Sequence, residues 1–159
     1  RPDATLVIDV NQGWEYQDLI DYLPDLERLK VAMIEQPLPA GQDAALANLS
    51  APLPIFADES CHVAADVARL AGLYQGVNIK LDKAGGLTEG VALLAAAKDA
   101  GLQSMVGCML STSLGIRPAF VLAQSVQWAD LDGPALLSGD RPDGFIFSNG
   151  FISEAPHDQ

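Results

Sequence analysis

Acidic residues stand directly after short apolar runs at a nearly constant spacing, and a lysine takes the same place after the next run. Asp9 closes LVIDVN, Glu35 closes VAMIEQP, Asp58 and Glu59 close PIFADES, and Lys80 closes VNIKLDK. The intervals Asp9 to Glu35, Glu35 to Asp58 and Asp58 to Lys80 are 26, 23 and 22 residues. Each interval holds one strand, one helix and two loops, so the period predicts consecutive βα units. Strand and helix alternating without a break make a parallel sheet. In a parallel barrel the C-terminal strand ends share one mouth, where catalytic groups collect.

Six strand-like runs follow from this reading: 5–10, 31–35, 55–58, 76–81, 103–107 and a weaker 126–130. They are short, apolar on both faces and partly β-branched, as expected of strands covered on both sides. Helical patterns lie between them. The first carries Leu19, Ile20, Leu23, Leu26 and Leu29, with Pro24 expected to kink or divide it. The second is short, over 44–49, and the third covers 63–73. In the fourth, Thr88 is the expected N-cap, 91–98 the apolar stripe and Gly101 the stop. A fifth spans 114–125. The segment GFIFSNGFI (144–152) predicts a β-hairpin turning at Ser148-Asn149-Gly150. The fold class is therefore α/β: a parallel (β/α) TIM-type barrel in part, with about six of its eight βα units present. Residues 1–143 form the barrel portion and 144–159 the terminal hairpin.

Composition narrows the function. The 159 residues are 49% hydrophobic and 6% aromatic, enough for one domain with a substantial core. A net charge of −12 and a pI near 4.2 argue against a nucleic-acid partner, since no basic stripe is present to neutralise phosphates. No run approaches the ~18 apolar residues of a membrane span, and no secretory signal precedes the first strand. Cys61 and Cys108 suggest no disulfide framework, and a cytoplasmic setting is the expectation. The opening Arg-Pro-Asp-Ala, directly before a strand, suggests a fragment of a longer chain.

Carboxylates gathered at adjacent strand ends repel one another and raise one another's pKa. A divalent cation resolves that repulsion, and hard oxygen ligands indicate Mg²⁺, with Mn²⁺ as the other choice. The competing reading makes each acid the N-cap of the helix after its strand. Lys80 points into the same mouth, where a lysine beside a metal in an apolar barrel has a lowered pKa and serves as a general base. Its competing role is a salt bridge to Asp58. Lys83 falls in the 83–86 loop as a structural cation. Asp130 and Asp132, after the last strand, share one side of an extended segment and suit an ammonium group; alternatively they belong to a solvated turn.

The motifs IDVN, IEQPLP, ADES and NIKLDKAGG, in this order and spacing, resemble the C-terminal barrel of the enolase superfamily, in its muconate-lactonizing subgroup. The resemblance implies that Asp9, Glu35 and Asp58 are the Mg²⁺ ligands and that Lys80 is one of two catalytic lysines. Members of the superfamily use a Lys or His base with Mg²⁺ stabilising an ene-diolate. A mandelate-racemase-like histidine is absent from MVGCM (105–109), and neither His62 nor His157 is placed for that role. The Asp130/Asp132 pair resembles that of the dipeptide epimerases, where it holds the free α-amino group of an L-Ala-D/L-Glu-type substrate. GCMLSTS (107–113) resembles the adjoining loop, with Cys108 and Leu110 offering backbone contacts to the dipeptide. A nucleophilic role for Cys108 is disfavoured because no His–Cys pair is evident.

The implied reaction is Mg²⁺-dependent epimerisation of a dipeptide by 1,1-proton transfer between two lysines, with Glu59 and Asp82 as outer partners of the metal or the lysines. The family's second lysine lies in a K-x-K motif expected upstream of Arg1, together with a capping domain toward which the hairpin returns. The chain alone is therefore expected to be inactive. Two alternatives remain: an o-succinylbenzoate synthase or muconate cycloisomerase of the same superfamily, and an inactive fragment that keeps the fold. The oligomeric state is left open, a homo-oligomer included.

Overall fold

The computed structural model describes Arg1 and residues 3–154. Strand β1 (Leu6–Asp9) leads into helix α1 (Tyr16–Arg28) and strand β2 (Val31–Glu35). A 3₁₀ turn (Asp43–Asn48) precedes β3 (Ile55–Ala57); a second 3₁₀ turn (Ala64–Asp66) runs into the single-turn α2 (Val67–Leu70). Then come β4 (Gly76–Lys80), α3 (Leu81–Ala84), α4 (Leu87–Asp99), β5 (Gln103–Gly107), α5 (Ser113–Ala123) and β6 (Trp128–Ala129). A 3₁₀ turn (Gly133–Leu136) leads to the hairpin β7 (Ile146–Ser148) and β8 (Phe151–Ser153). The strands β1 to β6 form one sheet in chain order, parallel at every pairing, so the expected partial barrel is the architecture.

Alternation along the strands sorts side chains into two populations. Ile34, Ile55, Ala57, Val77, Ile79 and Val106 face outward and join Leu19, Leu23, Leu26, Leu70, Leu93, Ile116 and Leu122 of the helices in the main core. The opposite face carries Met33, Phe56 and Met105, buried together against Trp128. Two residues further along that face come Glu35, Asp58, Gly107 and Asp130, and the register sets Asp9 beside Glu35 and Lys80 beside Gly107. An apolar layer thus lies beneath a polar one, and the polar one occupies the C-terminal strand ends. Gly76 sits in the apolar layer beneath the Phe56 ring; a Cβ there would stand 2.4 Å from two ring carbons.

Several helices differ from expectation. Pro24 does not divide α1, which runs through it with Leu19, Leu23 and Leu26 buried; Pro24 itself is exposed, so its missing N–H disturbs only the solvent side. The segment 44–49 is a 3₁₀ turn rather than an α-helix. The helix expected over 63–73 shortens to α2, because Asp66 Oδ2 accepts the His62 and Val63 backbone N–H groups and Gly72 takes a left-handed φ of 85° beyond it. Gly86, not Thr88, precedes the first residue of α4. Lys83 lies on α3 rather than in a loop. The hairpin turns through Asn149 and Gly150, both at positive φ (51° and 81°), as a two-residue primed turn requires. His157 lies outside the described residues.

Candidate active site

The four charged residues of the strand-end repeat meet on the inner face. Glu35 (3% exposed) and Asp58 (2% exposed) are deeply buried. Lys80 Nζ stands 2.6 Å from Asp58 Oδ2, and Lys83 Nζ takes Oδ1 of the same carboxylate. Lys83 also donates toward the backbone carbonyls of Asp58, Cys61 and Asn78. The salt-bridge reading of Lys80 is therefore present alongside its place in the mouth. Its pKa is raised, not lowered: burial pulls it down, but the hydrogen bond and charge of Asp58, with Glu35 and Asp9 behind, outweigh burial.

The acids divide by their neighbours. Burial pushes the Glu35 carboxyl up to about 7; the Asn78 hydrogen bond (Nδ2 to Oε1, 2.6 Å) opposes this, while the charges of Asp58 and Asp9 reinforce it. Burial also works against the Asp58 carboxylate, yet the ammonium groups of Lys83 and Lys80 hold its pKa below the usual range. Asp9 Oδ1 accepts the backbone N–H of Asn11 at 2.9 Å. Asn78, two residues before Lys80 on the same strand face, was not read from the sequence. Period-two spacing from Lys80 was the signal that could have found it.

Asp9, Glu35 and Asp58 fit a hard divalent cation by donor type: three carboxylates on neighbouring strand ends, one with its pKa raised partly by the charge of the other two. Among the described residues no three His, Cys, Asp or Glu side chains stand as a ready-made cage. Asp58 gives one oxygen to each of two lysines, and the second lone pair of each oxygen is left for a cation.

The second group of candidates is also assembled. A cleft of about 310 Å³ is lined by Asp9, Glu35, Met33, Met105, Trp128 and Asp130, joining the acids of β1 and β2 to the end of β6. Asp130 and Asp132 face each other, and Asp130 accepts the Asp132 backbone N–H; burial first, then the charge of Asp132, raises the Asp130 pKa. The two acids border a further cavity of about 350 Å³ walled by the hairpin, Phe147 to Ile152. Cys108 is half-buried, and its Sγ meets the backbone N–H of Gly133; burial pushes the thiol up. That contact seats the 108–111 loop against the segment after Asp132, with Leu110 65% exposed beside it.

The remaining expectations fare differently. Asp82 is exposed and absent from the ion pairs of both lysines. Glu59 lines a cavity of about 720 Å³ with Asp43, Ser60 and Arg69, whose lining includes none of Asp9, Glu35 and Asp58, and its Oε2 is buried without a partner. His62 is exposed. Cys61 is buried and its thiol is pushed up to about 12.

The family model described as "Enolase C-terminal domain-like" matches residues 1–153. An L-Ala-D/L-Glu epimerase of Escherichia coli (strain K12) is 50% identical over 149 residues, covering 94% of this chain and 46% of the relative. An N-acetyl-D-glutamate racemase from Pseudoalteromonas sp. is 45% identical over 152 residues, covering 96% and 48%. A crystal structure of an enolase family member from Agrobacterium tumefaciens, described as having homology to dipeptide epimerases and as holding sodium and L-Ala-L-Glu, superposes with a TM-score of 0.94. It is 48% identical and is matched over 98% of this chain and 48% of its own. The chain spans about half the length of the curated relatives it matches.

Proposed function

The chain belongs to the enolase C-terminal domain-like family, and from that premise we propose that the full-length protein epimerises dipeptides by moving a proton at the carbon α to a carboxylate. The observation that carries this reading is the shared inner face: Lys80, the three strand-end acids and Asp130 rise from one layer of one sheet. The named relatives are a racemase and an epimerase, names that both denote inversion of configuration at one carbon.

In this reading Asp9, Glu35 and Asp58 hold a Mg²⁺ ion. When bound, the ion supplies positive charge against which the substrate carboxylate accumulates electrons as the α-proton leaves. Lys80 carries the proton on one face of that carbon. Its pairing with Asp58 favours the ammonium, the form that returns a proton; in its neutral form the same amine would remove one. Asp130 and Asp132 receive the substrate ammonium, and backbone groups near Cys108 and Leu110 border the dipeptide. A second base and a capping domain would come from the rest of the full-length protein, with the β7–β8 hairpin returning toward that cap.

A second reading is racemisation of an N-acyl amino acid, favoured by the 45% identity to the N-acetyl-D-glutamate racemase. It needs no ammonium site. The carboxylate pair favours the dipeptide, because two acids facing each other are stabilised by a cationic ligand.

The test is loss of the α-proton signal in D₂O. Full-length protein and Mg²⁺ are incubated with Ala-Glu, other free-amine dipeptides and N-acetylglutamate. Exchange in the free-amine dipeptides supports the proposal. Exchange confined to the N-acetyl substrate, or to neither, overturns it.

A further inference from the structure

Glu35 and Asp58 lie on neighbouring strands whose ladder is short: Ile34 pairs with Ile55 and Glu35 with Phe56. One more backbone bond follows, Gln36 N–H to Phe56 O at 2.9 Å, and beyond it the next N–H of β3's chain, that of Asp58, turns to a side chain instead of a β2 carbonyl. The Asp58 backbone is held instead by a side chain. Gln36 Oε1 accepts the N–H groups of Asp58 (2.9 Å) and Ser60 (3.1 Å).

The other end of the same amide is equally occupied. Gln36 Nε2 donates to Leu38 O (2.8 Å), Ser60 Oγ (3.0 Å) and Tyr74 OH (3.1 Å). Both hydroxyls donate onward to Asp43 Oδ1, each at 2.6 Å. Arg69 closes the set from the surface, bonding Asp43 Oδ2 and Ser60 O, both at 2.8 Å. Gln36 is completely buried. Its φ of 32° is a left-handed conformation that a residue with a side chain adopts at a cost. That cost is borne at the residue directly after Glu35, where the backbone turn aims the amide at the end of β3.

We propose that Gln36 is a positioning residue: its amide fixes the separation of the Glu35 and Asp58 carboxylates and so sets the affinity of the strand-end site for a divalent cation. The inference rests on the metal-site reading above. Gln36 touches neither substrate nor cation; it acts by clamping the backbone of one carboxylate to the strand that bears the other.

The test uses the full-length protein and Mn²⁺ alone, followed by electron paramagnetic resonance, so that turnover is not the readout. Gln36→Leu is expected to weaken Mn²⁺ binding by about tenfold or more, as loss of an outer partner of a metal ligand does. Tyr74→Phe keeps the buried ring and removes one hydroxyl, and is expected to weaken binding by a smaller factor while melting near the parent. If Gln36→Leu does not fold, Tyr74→Phe decides. Unchanged Mn²⁺ affinity in the folded variants, even with a lowered melting temperature, overturns the inference and leaves the metal-site reading intact. A parent protein that binds no Mn²⁺ overturns both.

Discussion

Lys83 grips Asp58 through both its side chain and its backbone, whereas Lys80 touches only the remaining side-chain oxygen, at 2.6 Å. Lys83 has more oxygen acceptors around it than hydrogens to give, counting Cys61 O and Asn78 O. Lys80 has one partner and faces the mouth. The two lysines therefore differ in freedom although they share an acid: one is a fastener and the other can exchange its proton.

Replacement separates them. In the full-length protein, Lys80→Met is expected to slow α-proton exchange on one face by about 10²–10⁴-fold, the worth of a positioned acid–base group. Circular dichroism should be unchanged. Lys83→Met should instead lower unfolding free energy by about 1–3 kcal/mol, since buried carbonyls and half of the Asp58 carboxylate lose their donor. Denaturant titration of both variants checks the contrast; equal destabilisation would remove it.

Stability should depend on pH through Glu35. Its folded pKa of about 7 lies above the value of 4.5 it has when unperturbed, so the folded state binds more protons between these values. Its contribution is fully present below pH 4.5 and is lost as pH rises through 7. The effect is on the order of 3 kcal/mol for a single group, at 1.36 kcal/mol per pKa unit. Urea unfolding in chelator at pH 5 and pH 7.5 measures it, with Glu35→Gln expected to remove most of the slope. Added Mg²⁺ should restore stability at the higher pH.

Converting Asp130 and Asp132 together to Asn should raise KM for free-amine dipeptides by about 10²-fold or more, the loss expected of a charge-assisted contact. Steady-state kinetics on Ala-Glu decides; an unchanged KM would detach the pair from the ammonium role.

Gly76→Ala should disturb the apolar layer beneath the site. Its Cβ would fall 2.4 Å from two carbons of the fully buried Phe56 ring, so the ring must shift to admit it. Overpacking of this kind costs about 1–3 kcal/mol. Thermal melting of the variant tests it, and an unchanged melting temperature would show that the ring has room.

The strands and their end residues were legible because two signals coincide there: short apolar runs, and charge at a fixed phase after them. β2 and β5 match their expected limits residue for residue. The helices after β2 and β3 were less legible because local capping decides them. Asp66 bonds back to His62 and Val63, and Gly72 stops the chain, so an apolar pattern that reads as eleven helical residues supports one turn of α-helix. α1 erred the other way, since the burial of Leu19, Leu23 and Leu26 holds it through Pro24. Gln36 was not legible for a different reason: a hydrogen bond between side chains 24 residues apart leaves no periodicity in a sequence.

Chain order and strand order are identical in the sheet, and that bears on how the molecule is made. Among the described residues, each strand of this sheet after β1 pairs with the one synthesised just before it. At about 5–20 residues per second, one βα unit leaves the ribosome every few seconds. The acids of the mouth are then installed in the order Asp9, Glu35, Asp58, and Lys80 arrives only after the carboxylate that will hold it. Asp130 comes last, so the emerging protein completes its charge-bearing rim before it acquires the groups proposed to choose a substrate.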